Sequence, residues 1–205
     1  MPRFASVDEV FLNCPFDAAY APIFRALVFG IYACGFRPRS ALELDDGSEA
    51  RIEKLYRIIH ECRYGINDIS RTQLDRKSRL PRFNMPLELG IFLGARRYGD
   101  SRSVQKRALI LDTERFRFQQ FISDLAGMDI HDHADEPQRA LKVTRDWLTN
   151  VSRRVVVGGN RLEKAYAKFS KDYPSIAREL GLDVRSVAYV DFERIVVSWL
   201  TKSPA

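Results

Sequence analysis

The sequence predicts an α/β protein: an open, doubly wound parallel sheet of about five strands with helices on both faces, followed by a helical C-terminal extension. Two observations predict the sheet. Short apolar runs alternate strictly with helical stretches up to Val151, and most of these runs end at a polar residue. The third observation is that the pattern after Val151 is helical and basic. We therefore divide the 205-residue chain into residues 1–151 and residues 152–205.

The predicted strands are short apolar runs separated by turn residues or helical stretches. They are Val7 to Asn13, Phe36 to Leu44, Tyr64 to Ile69, Lys106 to Asp112 and Gly127 to His131. Such alternation with helices is typical of parallel strands joined by crossover connections.

The predicted helices carry apolar residues at helical spacing, and Ser48 is a good N-cap for the second of them. Within residues 1–151 they are Asp17 to Cys34, Ser48 to Cys62, Pro86 to Tyr98, Glu114 to Ala126 and Glu136 to Val151. The extension adds Asn160 to Lys171, Tyr173 to Leu180 and Tyr189 to Leu200, after a hinge or short strand at residues 155–159.

The helix beginning near Pro86 places a carboxylate close to its N-terminus. Proline suits a first turn, so Asn84 or Met85 is the expected cap and Glu88 falls in the opening turn. The helix dipole would then hold the pKa of Glu88 down. Two interpretations stay open for this stretch, a capping glutamate and a catalytic one.

Polar residues follow several of the predicted strands and should converge, because parallel strands share one carboxyl edge. They are Asn13 to Asp17, Glu43 to Asp46, Asp68 to Arg71 and Asp112, with Glu88 joining them from its helix. The sequence lacks a Gly-rich dinucleotide motif, a P-loop and a G-x-S-x-G elbow. With these motifs absent, the candidate chemistry is that of a carboxylate acting on a glycosidic carbon. A carboxylate can stabilise an oxocarbenium-like state or attack it.

Charge and composition indicate which partners, metal sites and cell compartment to expect. The net charge of +6 favours anionic partners. The three cysteines are widely spaced and fit reduced core thiols, and His131 with His133 makes a weak metal site, so no metal is expected. We expect a cytoplasmic protein without a membrane partner, because no apolar run is long enough to span a bilayer and no signal peptide is evident.

Three segments resemble landmarks of the TIR-like and nucleoside 2-deoxyribosyltransferase-like superfamily. They are the first strand and its polar turn at residues 10–17, the third strand ending in Asp-x-Ser at residues 64–70, and the E-L-G helix opening at residues 84–90. The resemblance implies a flavodoxin-like fold and an N-glycosidase or glycosyl transferase acting on NAD or a nucleoside as substrate, with no cofactor required. Such bacterial domains often serve as effectors or signal producers in antiphage defence.

The resemblance implies Glu88 as nucleophile or oxocarbenium stabiliser, with Asp68 as its catalytic partner. Residues expected around the substrate are Asn13, Phe16, Asp17, Asp45, Ser70, Arg71, Arg82, Asn84 and Met85. Asp68 and Asn13 would orient ribose, and Arg71, Arg82 or Arg39 would meet phosphates.

Two other functions stay open. One is a nucleotide-sensing module of the same fold without turnover, and the other is nucleic-acid binding through the basic C-terminal helices. A homo-oligomer is also expected from the resemblance. An apolar stripe in the last helix would then form either a dimer seam or a contact with the chain's own sheet; it consists of Phe192, Ile195, Val196 and Trp199.

Overall fold

A computed structural model describes residues 9–43, 46–72, 74 and 79–203. Its strands are β1 (Glu9–Asn13), β2 (Arg37–Arg39), β3 (Tyr64–Asp68), β4 (Arg107–Asp112) and β5 (Ile130–Asp132). Its helices are α1 (Ala21–Ala33), α2 (Arg51–Glu61), α3 (Asn84–Tyr98), α4 (Pro137–Ser152), α5 (Gly159–Glu179) and α6 (Tyr189–Lys202). Short 3-10 helices occur at Ser103–Gln105, Arg117–Gln120 and Ser123–Leu125.

The five strands form one parallel sheet in the order β2-β1-β3-β4-β5. This is the flavodoxin-like order, in which the chain reverses its direction of winding between β1 and β3. The predicted fold class is therefore confirmed. The crevice at the carboxyl ends of β1 and β3 is where such sheets place ligands.

Alternating side chains of β1 pack into cores on opposite faces of the sheet. Val10 and Leu12 join the larger core, which contains residues of α1, α4, α5 and α6. Phe11 joins the smaller core with residues of α2 and α3. Because successive strand residues point to opposite faces, β1 is buried on both sides.

The C-terminal helices belong to the larger core. The Phe29 ring in α1 lies 4.9 Å from the Phe169 ring and 5.8 Å from the Trp199 ring, measured between centroids. The apolar stripe of α6 is buried in this core within a single chain. It is therefore not a free dimer seam, and self-association, which stays a prediction, would use another surface.

The predicted helices differ from the structure in two regions. Residues 114–126 form two 3-10 turns, because Phe116 adopts a left-handed backbone conformation (φ 63°) that interrupts a helix. The two predicted helices on either side of Asp172 are one helix, α5, which continues through Pro174. Burial of Tyr173 and Ala177 beside the proline holds this continuous helix against the core.

Several predicted boundaries also differ. The second strand is limited to three residues, and residues 155–157 form neither strand nor helix. α1 begins at Ala21 and not at Asp17, whose carboxylate accepts the Tyr20 N–H (3.1 Å). α2 begins at Arg51, and Ser48 bonds to Asp46 and does not cap the helix. Among the described helices, none is long and apolar enough to cross a membrane.

Candidate functional site

The candidate site lies at the carboxyl edge of β1 and β3, beside the first turn of α3. Asn13, the last residue of β1, is 2% exposed. Its side-chain amide donates to Asn67 Oδ1 (3.2 Å) and to the Met85 carbonyl oxygen (2.9 Å). Asn13 thus fixes the start of α3 against the two central strands. These amide donors of Asn13 are used within the protein and are therefore not free to bind ribose.

Asp68 ends β3 at the centre of a buried polar cluster. It accepts hydrogen bonds from the Tyr20 hydroxyl (2.5 Å) and from the Ser70 backbone N–H (2.8 Å). His133 Nε2 lies 3.0 Å from Asp68 Oδ2, although its N–H is not aimed along a hydrogen bond to that oxygen. His133 Nδ1 accepts the Asp135 backbone N–H (3.1 Å), which leaves the ring proton on Nε2.

The Asp68 cluster is closed to solvent. Asp68, Tyr20, His133 and Ser70 are each 0% exposed. The predicted catalytic Asp68 therefore has no solvent-accessible carboxylate in this structure, and any part that it takes in chemistry would act through its neighbours. The Ser70 hydroxyl, predicted to meet substrate, is buried and has no hydrogen-bond partner among the described residues.

Glu88 lies in the second turn of α3 and not in its opening turn. The helix begins at Asn84 with Phe83 as N-cap, and the Leu87 N–H already bonds to the Phe83 carbonyl oxygen (2.9 Å). Glu88 is thus past the unpaired N–H groups that would cap its charge. The expectation that the helix N-terminus holds its pKa down is wrong.

Burial dominates the electrostatics of Glu88. The side chain is 7% exposed, and no described residue donates a hydrogen bond to its carboxyl group. Burial raises the pKa of Glu88 to about 7, and the Arg51 guanidinium opposes this shift. Near neutral pH the group therefore exists in both protonation states, as a proton-transferring or nucleophilic carboxyl requires.

The Cys14 thiol is affected by both carboxyl groups, those of Asp68 and Glu88. The thiol is buried, and its pKa is raised well above the usual value by burial, then by Asp68 and Glu88. Since both carboxylates act on the same thiol, they belong to one neighbourhood. The thiol therefore stays protonated, so it lines the site and does not act as a nucleophile.

The other predicted residues divide into exposed and occupied groups. Arg82 and Asn84 are exposed, Phe16 is 41% exposed, and Met85 is buried. Arg71 pairs with Asp135 (3.1 Å) at the surface. Asp45 lies outside the described residues.

Arg39 is not available to bind phosphate. Its guanidinium is buried within an ion network at the end of β2, contacting Glu9 (2.7 Å), Glu43 (2.6 Å) and Glu61 (3.0 Å). Three carboxylates already satisfy it, so the predicted role of Arg39 as a phosphate ligand is wrong.

The sequence prediction missed two side chains that shape this edge. Arg117 donates to Asp112 Oδ1 (2.5 Å) and to the carbonyl oxygens of Ile69 (3.1 Å) and Ser70 (2.9 Å). Burial raises the pKa of Asp112, and Arg117 opposes that rise. The other is His133, which the sequence suggested only as a weak metal ligand; its position just after a strand was the available signal.

The arrangement combines one carboxyl of near-neutral pKa with a buried polar cluster around Asp68. It can supply proton transfer or attack by a carboxylate without a described side chain competing for that carboxyl. No protein-family model, curated protein or solved structure matches this chain.

Proposed function

We propose that the protein cleaves the N-glycosidic bond of NAD or a related nucleotide or nucleoside, transferring the ribosyl group to water or to another acceptor. The observation that carries this proposal is Glu88: a buried carboxyl with a pKa of about 7 at the ligand-binding edge of a flavodoxin-like sheet. The resemblance of residues 10–17, 64–70 and 84–90 to the TIR-like superfamily supports the same chemistry.

The proposed step uses the ionised form of Glu88. As the bond from ribose to the base breaks, positive charge develops on the sugar, and a carboxylate next to the anomeric carbon stabilises that charge or forms a bond to it. An approaching positive charge favours ionisation of a carboxyl whose pKa is near 7. Substrate binding would therefore help generate the reactive form.

The surrounding residues have supporting roles in this proposal. Asn13 fixes the first turn of α3 through the Met85 carbonyl oxygen, and the Asp68 cluster holds the loop after β3. Rigid support of this kind keeps a reactive side chain within the narrow geometry that catalysis needs. Arg71 and Arg82 are the predicted phosphate ligands that the structure leaves at least partly exposed.

The test is incubation of the purified protein with NAD, NADP, ATP and deoxynucleosides, with products resolved by mass spectrometry. We expect release of the base, and a loss of roughly 100-fold or more in Glu88→Gln, which keeps the side-chain shape but cannot ionise. Glu163→Gln, an exposed acid on α5, is the matched control and should retain the wild-type rate.

Full activity in Glu88→Gln would overturn the proposal. Saturable nucleotide binding without any product after long incubation would instead favour a sensing module of the same fold. If turnover is found, the role in antiphage defence implied by the resemblance becomes the next proposal to test in cells.

A second candidate function, nucleic-acid binding, rests on the outer face of α5. Four bases lie on the side of α5 opposite its buried residues, and no described acid forms an ion pair with them. They are Lys164, Lys168, Lys171 and Arg178. At 1.5 Å per residue this stripe extends over about 21 Å, long enough to follow several phosphates of a nucleic-acid backbone.

Fluorescence anisotropy with double-stranded DNA and RNA tests the second candidate. We expect affinity to fall log-linearly with salt, and Lys164→Glu/Lys171→Glu to weaken binding at least tenfold. The control Arg96→Glu/Arg107→Glu makes the same charge change at exposed positions away from α5. Equal weakening in both double variants would exclude a specific α5 surface.

A further inference from the structure

A cleft of about 360 Å³ lies between the β1–α1 turn and the segment that joins α5 to α6. Phe16 and Asp17 line one wall, and Arg185 and Ser186 line the other. The β1–α1 turn also borders the candidate site, since it follows Asn13 directly. The volume is within the range of small-molecule sites.

The floor of the cleft is aromatic. The Phe24 ring packs edge-on against Phe16 (centroids 5.8 Å apart, 86°) and tilted against Tyr189 (5.8 Å). Tyr189 is held further by its hydroxyl, which donates to the Pro38 carbonyl oxygen (3.2 Å). Phe16 nevertheless keeps 41% of its surface exposed. A fixed, partly exposed aromatic ring is a platform on which a planar base can stack.

Two guanidinium groups line the same cleft. Arg25 donates one hydrogen bond, to the Val184 carbonyl oxygen (3.1 Å), and lies 4.9 Å from the centroid of the Tyr173 ring. Arg185 is exposed, and its side chain forms no ion pair with a described residue. The neighbouring Asp183 carboxylate is engaged by the Arg185 backbone N–H (3.0 Å) and the Ser186 hydroxyl (3.2 Å). Guanidinium donors therefore remain for a phosphate.

Asp17 adds an acceptor between the aromatic and cationic parts. One carboxylate oxygen accepts the Tyr20 N–H (3.1 Å), and no described residue donates to the other. A carboxylate oxygen of this kind suits a ribose hydroxyl and would repel a phosphate. The polarity of the cleft is thus mixed: an aromatic wall, an acceptor and two cations.

We propose that this cleft binds a nucleoside monophosphate group, with its base on Phe16, a ribose hydroxyl on Asp17 and its phosphate on Arg185 and Arg25. A purely apolar ligand would leave the carboxylate and guanidinium groups without partners, and inorganic phosphate would leave the aromatic wall uncovered. One part of this inference rests on the proposed function: the nucleoside monophosphate is the half of a dinucleotide that does not react when the dinucleotide is cleaved at Glu88.

Isothermal titration calorimetry with AMP, adenosine and ribose 5-phosphate separates these contacts. For AMP we expect Arg185→Gln and Phe16→Ala each to raise the Kd about tenfold. Adenosine binding should change with Phe16→Ala alone, and ribose 5-phosphate binding with Arg185→Gln alone. The exposed positions Arg96→Gln and Tyr98→Ala are the matched controls, and circular dichroism confirms that each variant is folded.

Unchanged AMP affinity in both cleft variants, or no AMP binding at millimolar concentration, would overturn the inference. The KM for NAD distinguishes the two proposals. AMP binding that depends on Arg185 without any base release would refute the glycosidase and keep the cleft. Base release with a KM for NAD that Arg185→Gln does not alter would refute the assignment of the cleft to the nonreacting half of NAD and keep the glycosidase.

Discussion

Glu88 and Asp68 are two carboxyl groups of the candidate site with different surroundings. Asp68 is fully buried and accepts hydrogen bonds from Tyr20 and Ser70. Glu88 is nearly as buried but receives no hydrogen bond from a described residue, and among the described residues Arg51 is the one that lowers its raised pKa. Under the proposed function, the carboxyl without hydrogen-bond donors is the reacting group and the hydrogen-bonded one supports the site.

The raised pKa of Glu88 predicts a pH-dependent stability. Burial moves it from 4.5 to about 7, so between these values the folded protein holds a proton that the unfolded chain has lost. Stability therefore falls as pH rises through this window, and the full cost, about 3 kcal/mol, is reached above it. We expect Glu88→Gln to match wild type near pH 4, below the ordinary pKa of 4.5, and to be more stable near pH 8.

Urea denaturation of wild type and Glu88→Gln at the two pH values measures this difference. The comparison is made between the two proteins at each pH, so titration of other groups cancels to first order. The same stability difference at both pH values would show that Glu88 is not desolvated in solution.

At the scale of elements, the position of α3 depends on a close approach to β3. The Phe92 ring in α3 stacks on Phe11 with centroids 6.2 Å apart. A Cβ atom at Gly65 would lie 2.6 Å from the Phe92 ring. Glycine is therefore required here by space, and the approach sets how far Glu88 stands from the sheet.

A pair of glycine substitutions tests this docking. Gly65→Ala should destabilise the protein by about 1–3 kcal/mol, because the packed ring has no room to move. Gly90→Ala, on an open part of α3, should stabilise it by about 0.5–1 kcal/mol, because alanine favours the helix. Thermal unfolding of both variants is the measurement, and destabilisation of equal size would contradict the proposed packing.

The elements also show what the sequence could predict. The alternation of extended and helical stretches predicted all five strands, and burial on both faces gives β1 its apolar run from Val10 to Leu12. The turns at residues 114–126 were missed, because tertiary hydrogen bonds from Arg117 to distant carbonyl oxygens leave no local pattern. The opening of α3 was misplaced by two residues for a similar reason, since Asn13 fixes that turn from another strand.

The candidate site was predicted less completely than the fold. The positions of Asn13, Asp68 and Asp112 at strand ends predicted that they share the carboxyl edge of the sheet, because the parallel topology alone brings these ends together. Which of them would be enclosed depends on Tyr20, His133 and Arg117, whose positions follow from packing. The protonation of Glu88 was mispredicted, because desolvation depends on neighbours that sequence spacing does not reveal.

At the scale of the whole molecule, the C-terminal helices are part of the main core and not a detached appendage. Phe169 of α5 contacts the rings of Phe29, Tyr173, Phe192 and Trp199, which come from α1, α5 and α6. The helices also form one wall of the 360 Å³ cleft. Stability of the sheet and shape of the cleft are therefore linked through the same side chains.

This linkage predicts a large effect of Phe169→Ala. Removing the ring should cost about 3–5 kcal/mol, because Phe169 is 1% exposed and central to the core. Leu180→Ala, at a residue that is 61% exposed just beyond α5, should change stability by less than about 0.5 kcal/mol. Chemical denaturation in full-length protein provides both values. A small loss in Phe169→Ala would imply that α5 and α6 detach readily from α1.

The two outer strands of the sheet determine how copies of this protein can meet. β2 is three residues long, contains Pro38, which lacks an N–H, and carries the buried ion network of Arg39. β5 is equally short, and its Asp132 pairs with Arg139. Short, charged borders of this kind resist the addition of a further strand. Pairing of edge strands between two copies of the protein is therefore disfavoured. An ordered assembly is expected to form through helices or loops.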